Sequence, residues 1–260
     1  MKTILKYIFV INWIAVFGGC EKDQFSNLNI SWETLNCLET ERSEEQTGKP
    51  YDTCTFTRSD SIKYCEVIDI GTVELDSNTK KFLPYYCLDN EVLTFRNGRR
   101  SAQFRVVRNG FAKIATRYVF SDSCQDNRSL MVCQVAEAAG VTLISDDLDV
   151  DFSIGISTKI NRRYPKSGAI GDFLQILRPN NPERTSYTQV MSLLITPRTY
   201  SLESSSQEFF ESLELDGRTF TNVYSVFRSE PSENYKIYYN EKYGIVGLVD
   251  LEEKLWTLDI

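Results

Sequence analysis

The chain has 260 residues, 42% hydrophobic, 25% charged and 12% aromatic, a globular composition long enough for a buried core. Acids outnumber bases by 36 to 29, a net charge of −7, which argues against a nucleic-acid partner because phosphate backbones are bound through clustered cations. There is no histidine, and that excludes Ser-His-Asp and Cys-His nucleophile systems, histidine general bases, and histidine-ligated zinc or haem.

Lys2 and Lys6 open the chain, an eleven-residue apolar run from Tyr7 to Phe17 follows, interrupted by Asn12, and Gly18-Gly19-Cys20 ends it. Such a run suits the core of a secretory signal and falls short of the roughly 20 residues needed to span a bilayer. An ordinary secretory cut after Gly19 would leave bulky Phe17 three residues before the bond, where a small residue is wanted. Val16-Phe17-Gly18-Gly19-Cys20 instead resembles the lipobox of bacterial lipoproteins, with Phe17 where leucine is usual. The resemblance implies removal of residues 1–19, a diacylglycerol thioether on Cys20 and an amine acylated with a palmitate-type chain. Several acyl chains anchor stably where one binds only marginally.

Loss of Lys2 and Lys6 leaves 27 bases against 36 acids, net −9. An acidic body is repelled by an anionic leaflet, so the folded part is expected to hang from its anchor. Glu21-Lys22-Asp23-Gln24 resembles the charged tags of surface-exposed Bacteroidota lipoproteins. The implied address is the outer membrane, with the side left open.

Residues 20–50 read as the lipidated cysteine and a polar spacer, with a charged run from Glu39 to Gly48 and room for one short helix around Trp32 to Leu38. After Cys20 six cysteines remain, Cys37, Cys54, Cys65, Cys87, Cys124 and Cys133. An even number in an exported chain reads as disulfides, with fifteen pairings open. No C-x-x-C or C-x-C occurs, so zinc and thioredoxin-like readings fail on spacing. Cys124 and Cys133 form a local pair. Cys54 and Cys65 lie symmetrically about Ser59-Asp60, where a two-residue turn would set them across a hairpin. That pairing leaves Cys37 with Cys87; the alternative set joins Cys37 to Cys54 and Cys65 to Cys87.

From Tyr51 onward the apolar alternation is mainly of period two. Val92–Phe95, Ala102–Arg108 and Phe111–Tyr118 are separated by Asn97-Gly98 and Asn109-Gly110. Asn-Gly supplies the positive φ that tight hairpins require, so a three-stranded antiparallel meander is expected. Leu130–Ala139, stopped by Gly140, fits a short helix or a strand. Pro165–Pro182 holds irregular composition and reads as a long loop or a seam. A turn at Asp216-Gly217 precedes a strand carrying Phe220, Val223 and Tyr224, and further strands follow at Tyr235–Tyr239, Gly244–Val249 and Leu255–Leu258.

Gly217-Arg-Thr-Phe-Thr-Asn-Val-Tyr224, Ile237-Tyr-Tyr-Asn-Glu-Lys-Tyr-Gly-Ile-Val-Gly247 and Trp256-Thr-Leu258 together resemble the C-terminal signature of uncharacterised Bacteroidota lipoproteins. The resemblance implies a β-meander and a lineage; that group has no settled biochemical role. The expected fold is therefore mainly β: antiparallel meanders over residues 51–260 forming a sandwich or a curved half-barrel-like sheet, with one or two short helices. A seam near 145–182 would divide it into two halves.

Three constellations could carry chemistry. On one strand, Asp147, Asp149 and Asp151 would share a face and offer hard oxygen ligands to Ca2+, although Phe152 stands where a calcium loop needs glycine. Tyr85, Tyr86, Tyr238, Tyr239 and Tyr243 could form an aromatic platform for sugars or peptides; strands are also where tyrosine packs. Paired carboxylates would serve glycan hydrolysis, yet spacing selects no pair among 36 acids. Gly-x-Ser-x-Gly and the phosphate-binding loop are absent. No cofactor is indicated beyond that calcium reading. The sequence thus points to a lipid-anchored envelope lipoprotein acting as a binding or structural module rather than an enzyme, with an envelope protein or glycan as partner. A histidine-free carboxylate hydrolase of glycans, or a carrier of lipids or other hydrophobes, are the alternatives.

Overall fold

A computed structural model describes residues 63–120, 129–160, 169–180, 185–197, 207–226 and 235–260. The expected signal, the spacer with its helix, and Cys20, Cys37, Cys54 and Cys124 lie outside the described residues. The elements are β1 (Tyr64–Val73), α1 (Ser77–Lys80), β2 (Val92–Asn97), β3 (Arg100–Phe120), β4 (Ser129–Ser145), β5 (Val150–Ile160), β6 (Ala169–Pro179), β7 (Tyr187–Pro197), β8 (Gln207–Leu215), β9 (Arg218–Val226), β10 (Lys236–Asn240), β11 (Gly244–Val249) and β12 (Leu255–Leu258).

Eleven of these strands form one sheet in the order β7-β6-β5-β4-β3-β2-β12-β11-β10-β9-β8, and β1 pairs with β4 alongside it. Neighbours along that path are antiparallel, while β1 and β4 run parallel. Two meanders, β2 to β7 and β8 to β12, thus meet where β12 pairs with β2. The sheet curls into a half-barrel until β7 approaches β9 and β10 across the opening. Bulges supply much of this curvature, since each inserts a residue and bends its strand. They fall between Lys159 and Ile160, Asp172 and Phe173, Ile176 and Leu177, and Tyr238 and Tyr239.

The concave face is apolar because alternate residues point inward. Leu93 and Phe95 of β2, Phe104 and Val106 of β3, Val141 and Leu143 of β4, Phe152, Ile154 and Ile156 of β5, and Leu174 and Ile176 of β6 are all at most 1% exposed. Each such side chain contributes about 1.5–3 kcal/mol by leaving water. Residues 74–91, between β1 and β2, enter this concavity as a plug in which Leu83, Tyr85 and Tyr86 have no exposed surface. Aromatic rings continue the packing from β2 toward the far rim: Phe95 edge-on to Phe104 at 5.1 Å, Phe104 stacked against Phe152 at 6.1 Å, and Phe152 edge-on to Tyr235 at 5.3 Å.

A second, smaller cluster lies on the other face of the C-terminal meander, where Leu215, Phe220 and Val223 of the β8–β9 hairpin cover Val246. Gly247 makes room for it, because a β-carbon there would come 2.7 Å from Leu215 Cδ1. Arg218, at the start of β9, fastens the hairpin by donating to the Leu258 carbonyl and to the Asp259 carboxylate, which Arg96 also holds.

Several expectations change in detail. Asn109-Gly110 is not a hairpin turn: β3 runs straight through it as one 21-residue strand. The ladder to β4 slips between Arg108 and Gly110, and Gly110 sits at φ 90°. Positive φ is used here for a bulge, which lets a long strand follow the curl. The first Asn-Gly does mark a hairpin, with Gly98-Arg99 as the loop between paired Asn97 and Arg100 and Gly98 at φ 57°. Leu130–Ala139 is strand, part of β4, and the irregular stretch after Pro165 contains β6. β5 pairs with β4 on one side and with β6 on the other. Asp216-Gly217 is the expected turn, with both residues at positive φ between paired Leu215 and Arg218.

Candidate functional site

Among the described residues, polar side chains gather at each end of the half-barrel. The first group follows from strand register. Thr158 of β5 lies opposite Asp172 of β6, and Asp172 lies opposite Thr196 of β7, so three polar side chains share one level of the concave face. Asp172 has no exposed surface. Its Oδ2 accepts from the Asp76 amide at 2.8 Å and from Thr79 Oγ1 at 2.9 Å, and its Oδ1 accepts from Thr158 Oγ1 at 2.8 Å. The Thr79 and Thr196 hydroxyls meet at 3.1 Å. Beside them Glu137 of β4, also fully buried, accepts from the Leu75 amide at 3.0 Å. Lys80 is 3% exposed on the same single-turn helix, whose N-cap is Asp76.

A carboxylate removed from water must be met by donors. Here the donors come mostly from the plug, so Asp172 and Glu137 latch residues 75–79 to β4, β5 and β6. A carboxylate pair that hydrolyses a glycosidic bond has to touch its substrate, and neither acid presents any surface to one.

The second region lies at the opposite rim, roughly 25 Å away by the rise of eight residues along β5 from Val150 to Thr158. The β4–β5 turn, the start of β3, the β11–β12 turn, and the residues Tyr235 and Trp256 enclose an open groove of about 680 Å³, within the range of ligand sites. Its base holds Trp256 and Tyr235, both buried. Asp147 and Asp149 line one side, Arg100 and Ser101 another, and residues 250–254 a third.

Asp250 organises that third wall. Its Oδ1 accepts from the Glu252 and Lys254 amides at 2.9 Å each, closing the turn, and its Oδ2 accepts from the Trp256 indole N–H at 2.8 Å. Glu252 and Lys254 form an ion pair. Asp147 ties the opposite turn to β3 by accepting from the Gln103 amide at 2.7 Å. Burial pushes the Tyr235 hydroxyl above its ordinary value. The neighbouring Arg178 guanidinium, 5.5 Å over the ring, opposes that rise, while Asp250 and Asp149 reinforce it. The groove therefore offers fixed donors and acceptors of both signs above an aromatic base.

The structure redistributes the residues singled out from sequence. Asp147 and Asp149 belong to the 146–149 turn, with Asp149 at φ 48°, and Asp151 lies on β5. The strand face they were expected to share does not form, because the chain reverses before it. Asp147 and Asp149 line the rim groove, whereas Asp151 lines a smaller hollow with Asn109, Thr142 and Tyr187. Among the described residues no group of three acids, cysteines or histidines is placed to hold a metal ion.

The tyrosine platform is corrected as well. Tyr85, Tyr86 and Tyr239 have no exposed surface; they are core, and only Tyr238 and Tyr243 are half-buried, packed on the smaller cluster. Tyr85 and Tyr86 lie in the plug, outside any strand, so no alternation assigns them a face. Cys65, Cys87 and Cys133 are disulfide-bonded and no described cysteine is free; which cysteine each is joined to lies outside the described residues.

Sequence reasoning missed the groove. Trp256 was visible only as part of a C-terminal signature, and Tyr235, Arg100 and Asp250 not as site residues. The available signal was Asp250 at the head of a short charged turn between strands, a position where an aspartate side chain caps backbone amides. No family model, curated protein or solved structure matches this chain.

Proposed function

We propose that this chain is a lipid-anchored envelope protein of the Bacteroidota lipoprotein type, held through Cys20, whose β-rich body acts as a binding module. The lipobox-like Val16–Cys20 segment, the charged residues after it and the polar spacer support the anchor, and an outer-membrane address follows from the same resemblance. One structural observation favours binding over carriage. The concavity of the half-barrel is filled by Leu83, Tyr85 and Tyr86, where a carrier of hydrophobes needs an empty apolar interior. The larger polar concavity described is instead the rim groove, whose third wall is pre-set by Asp250. Fixed donors and acceptors lower the ordering cost of binding.

The test of this reading is the intact mass of the protein expressed with its own signal in a Gram-negative host and extracted from membranes, beside Cys20→Ala. Loss of residues 1–19 with added diacylglycerol and acyl mass, absent in the variant, is the expected result. A mature form without lipid would overturn it.

A further inference from the structure

The rim groove carries an inference about the class of ligand, and it rests on the reading of this chain as a binding module. Most charged groups around the groove are already engaged. Asp250 is spent on two amides and the indole, Glu252 and Lys254 on each other, and one oxygen of Asp147 on Gln103. Asp149 and Arg100 are different: both line the groove, both are exposed, and among the described residues no side-chain hydrogen bond or ion pair engages the carboxylate of one or the guanidinium of the other. Between them the groove presents a lone carboxylate and a lone guanidinium, with Ser101 beside the latter. Leu251, 48% exposed, and half-buried Leu148 supply an apolar lip.

We infer that the groove takes a neutral oligosaccharide. Sugar hydroxyls can donate to a carboxylate and accept from a planar guanidinium fork along one ligand, whereas a ligand of a single charge suits one of these groups and is opposed by the other. A polyanion would face Asp147, Asp149 and Glu252, and a polycation would face Arg100 and Lys254, so like-charge contacts act against both. The C–H face of a pyranose matches the Leu148 and Leu251 lip. The Asp250 bonds hold the turn that carries Leu251, so this wall is set before the ligand arrives.

The experiment uses the full mature chain carrying Cys20→Ser, probed with neutral hexasaccharides of glucose, mannose and xylose and with oligogalacturonate as the acidic counterpart. Calorimetry should show binding of at least one neutral hexasaccharide. Asp149→Asn and Arg100→Ala should each weaken it by about tenfold or more, the loss expected for one hydrogen bond to a charged group, with the melting temperature unchanged. Binding of oligogalacturonate alone, neutral binding untouched by both substitutions, or no binding of any neutral hexasaccharide at millimolar concentration would overturn the inference. Failure of lipidation at Cys20 would leave this result standing, and failure here would leave the lipid mass standing, so the two readings fall separately.

Discussion

The Tyr85 ring rests directly on Gly244: a β-carbon at position 244 would lie 2.2 Å from Tyr85 Cζ and 2.4 Å from its hydroxyl oxygen. The contact joins the plug to the first residue of β11 across 159 positions of sequence. It is completed when the Ile245 amide donates to the Tyr85 hydroxyl. Nearby the Tyr239 hydroxyl donates to the Phe82 carbonyl. Burial raises both phenols far above their ordinary value, so both stay neutral and keep their donors.

Gly244→Ala is expected to destabilise the protein by about 3 kcal/mol, since it overpacks a rigid ring and places alanine at φ 74°. Tyr85→Phe, which removes only the hydroxyl, should cost about 1–2 kcal/mol. Urea unfolding of both variants checks this; a loss below about 1 kcal/mol for the alanine variant would mean the ring moves aside freely.

The Tyr85–Gly244 contact also marks how far the sequence could be read. Period-two alternation and turn chemistry located β9 to β12 and the Gly98 and Asp216-Gly217 turns, because those signals are local, while β8 went unmarked. Tyr238-Tyr239 divides as strand alternation dictates, one ring out and one in, but nothing local says that both rings of Tyr85-Tyr86, which lie outside any strand, enter the barrel. Likewise Asn109-Gly110 has the residue chemistry of a turn, and only the 15 pairs of β3 with β4 explain why a bulge wins. The groove residues come from four separate stretches, so their assembly depends on topology.

The latch around Asp172 gives a second prediction. Asp172→Ala would strand the Asp76 amide and the Thr79 and Thr158 hydroxyls in a dry interior. Each unsatisfied donor costs about 1–3 kcal/mol, so a loss of about 3–5 kcal/mol is expected. Thr79→Val keeps the shape, removes one donor, and should cost nearer 1 kcal/mol. Equal losses in the two variants would show that packing of α1, not its polar bonds, fixes the plug.

Asp259 sets a dependence on acid. Its carboxylate is held below the usual range mainly by the Arg218 hydrogen bond, which burial opposes and a lesser hydrogen bond from Arg96 reinforces. A folded-state value below the unfolded one means that the stabilisation is present above the unfolded value, about pH 4, and disappears as pH falls through the folded one. Asp259→Asn should therefore lower the melting temperature at neutral pH, and the gap to the native chain should narrow at about pH 3. A gap that is constant with pH would assign the effect to shape alone.

Asp250 allows the groove wall and its aromatic base to be separated. In Asp250→Asn the amide oxygen can still accept from the Glu252 and Lys254 amides, but its NH2 group faces the Trp256 indole N–H, donor against donor. The turn should persist and the indole bond should go, at a cost of about 1 kcal/mol. Asp250→Ala removes all three acceptors and should cost about 2–3 kcal/mol, with the turn opening. Amide hydrogen exchange distinguishes the two: Glu252 and Lys254 remain protected in the asparagine variant and exchange fast in the alanine variant. Tryptophan emission should shift in both, because the indole loses its carboxylate either way. If the two variants exchange alike, the turn is held by its backbone and Asp250 serves the tryptophan alone; Leu251 would then keep its place at the groove lip in both.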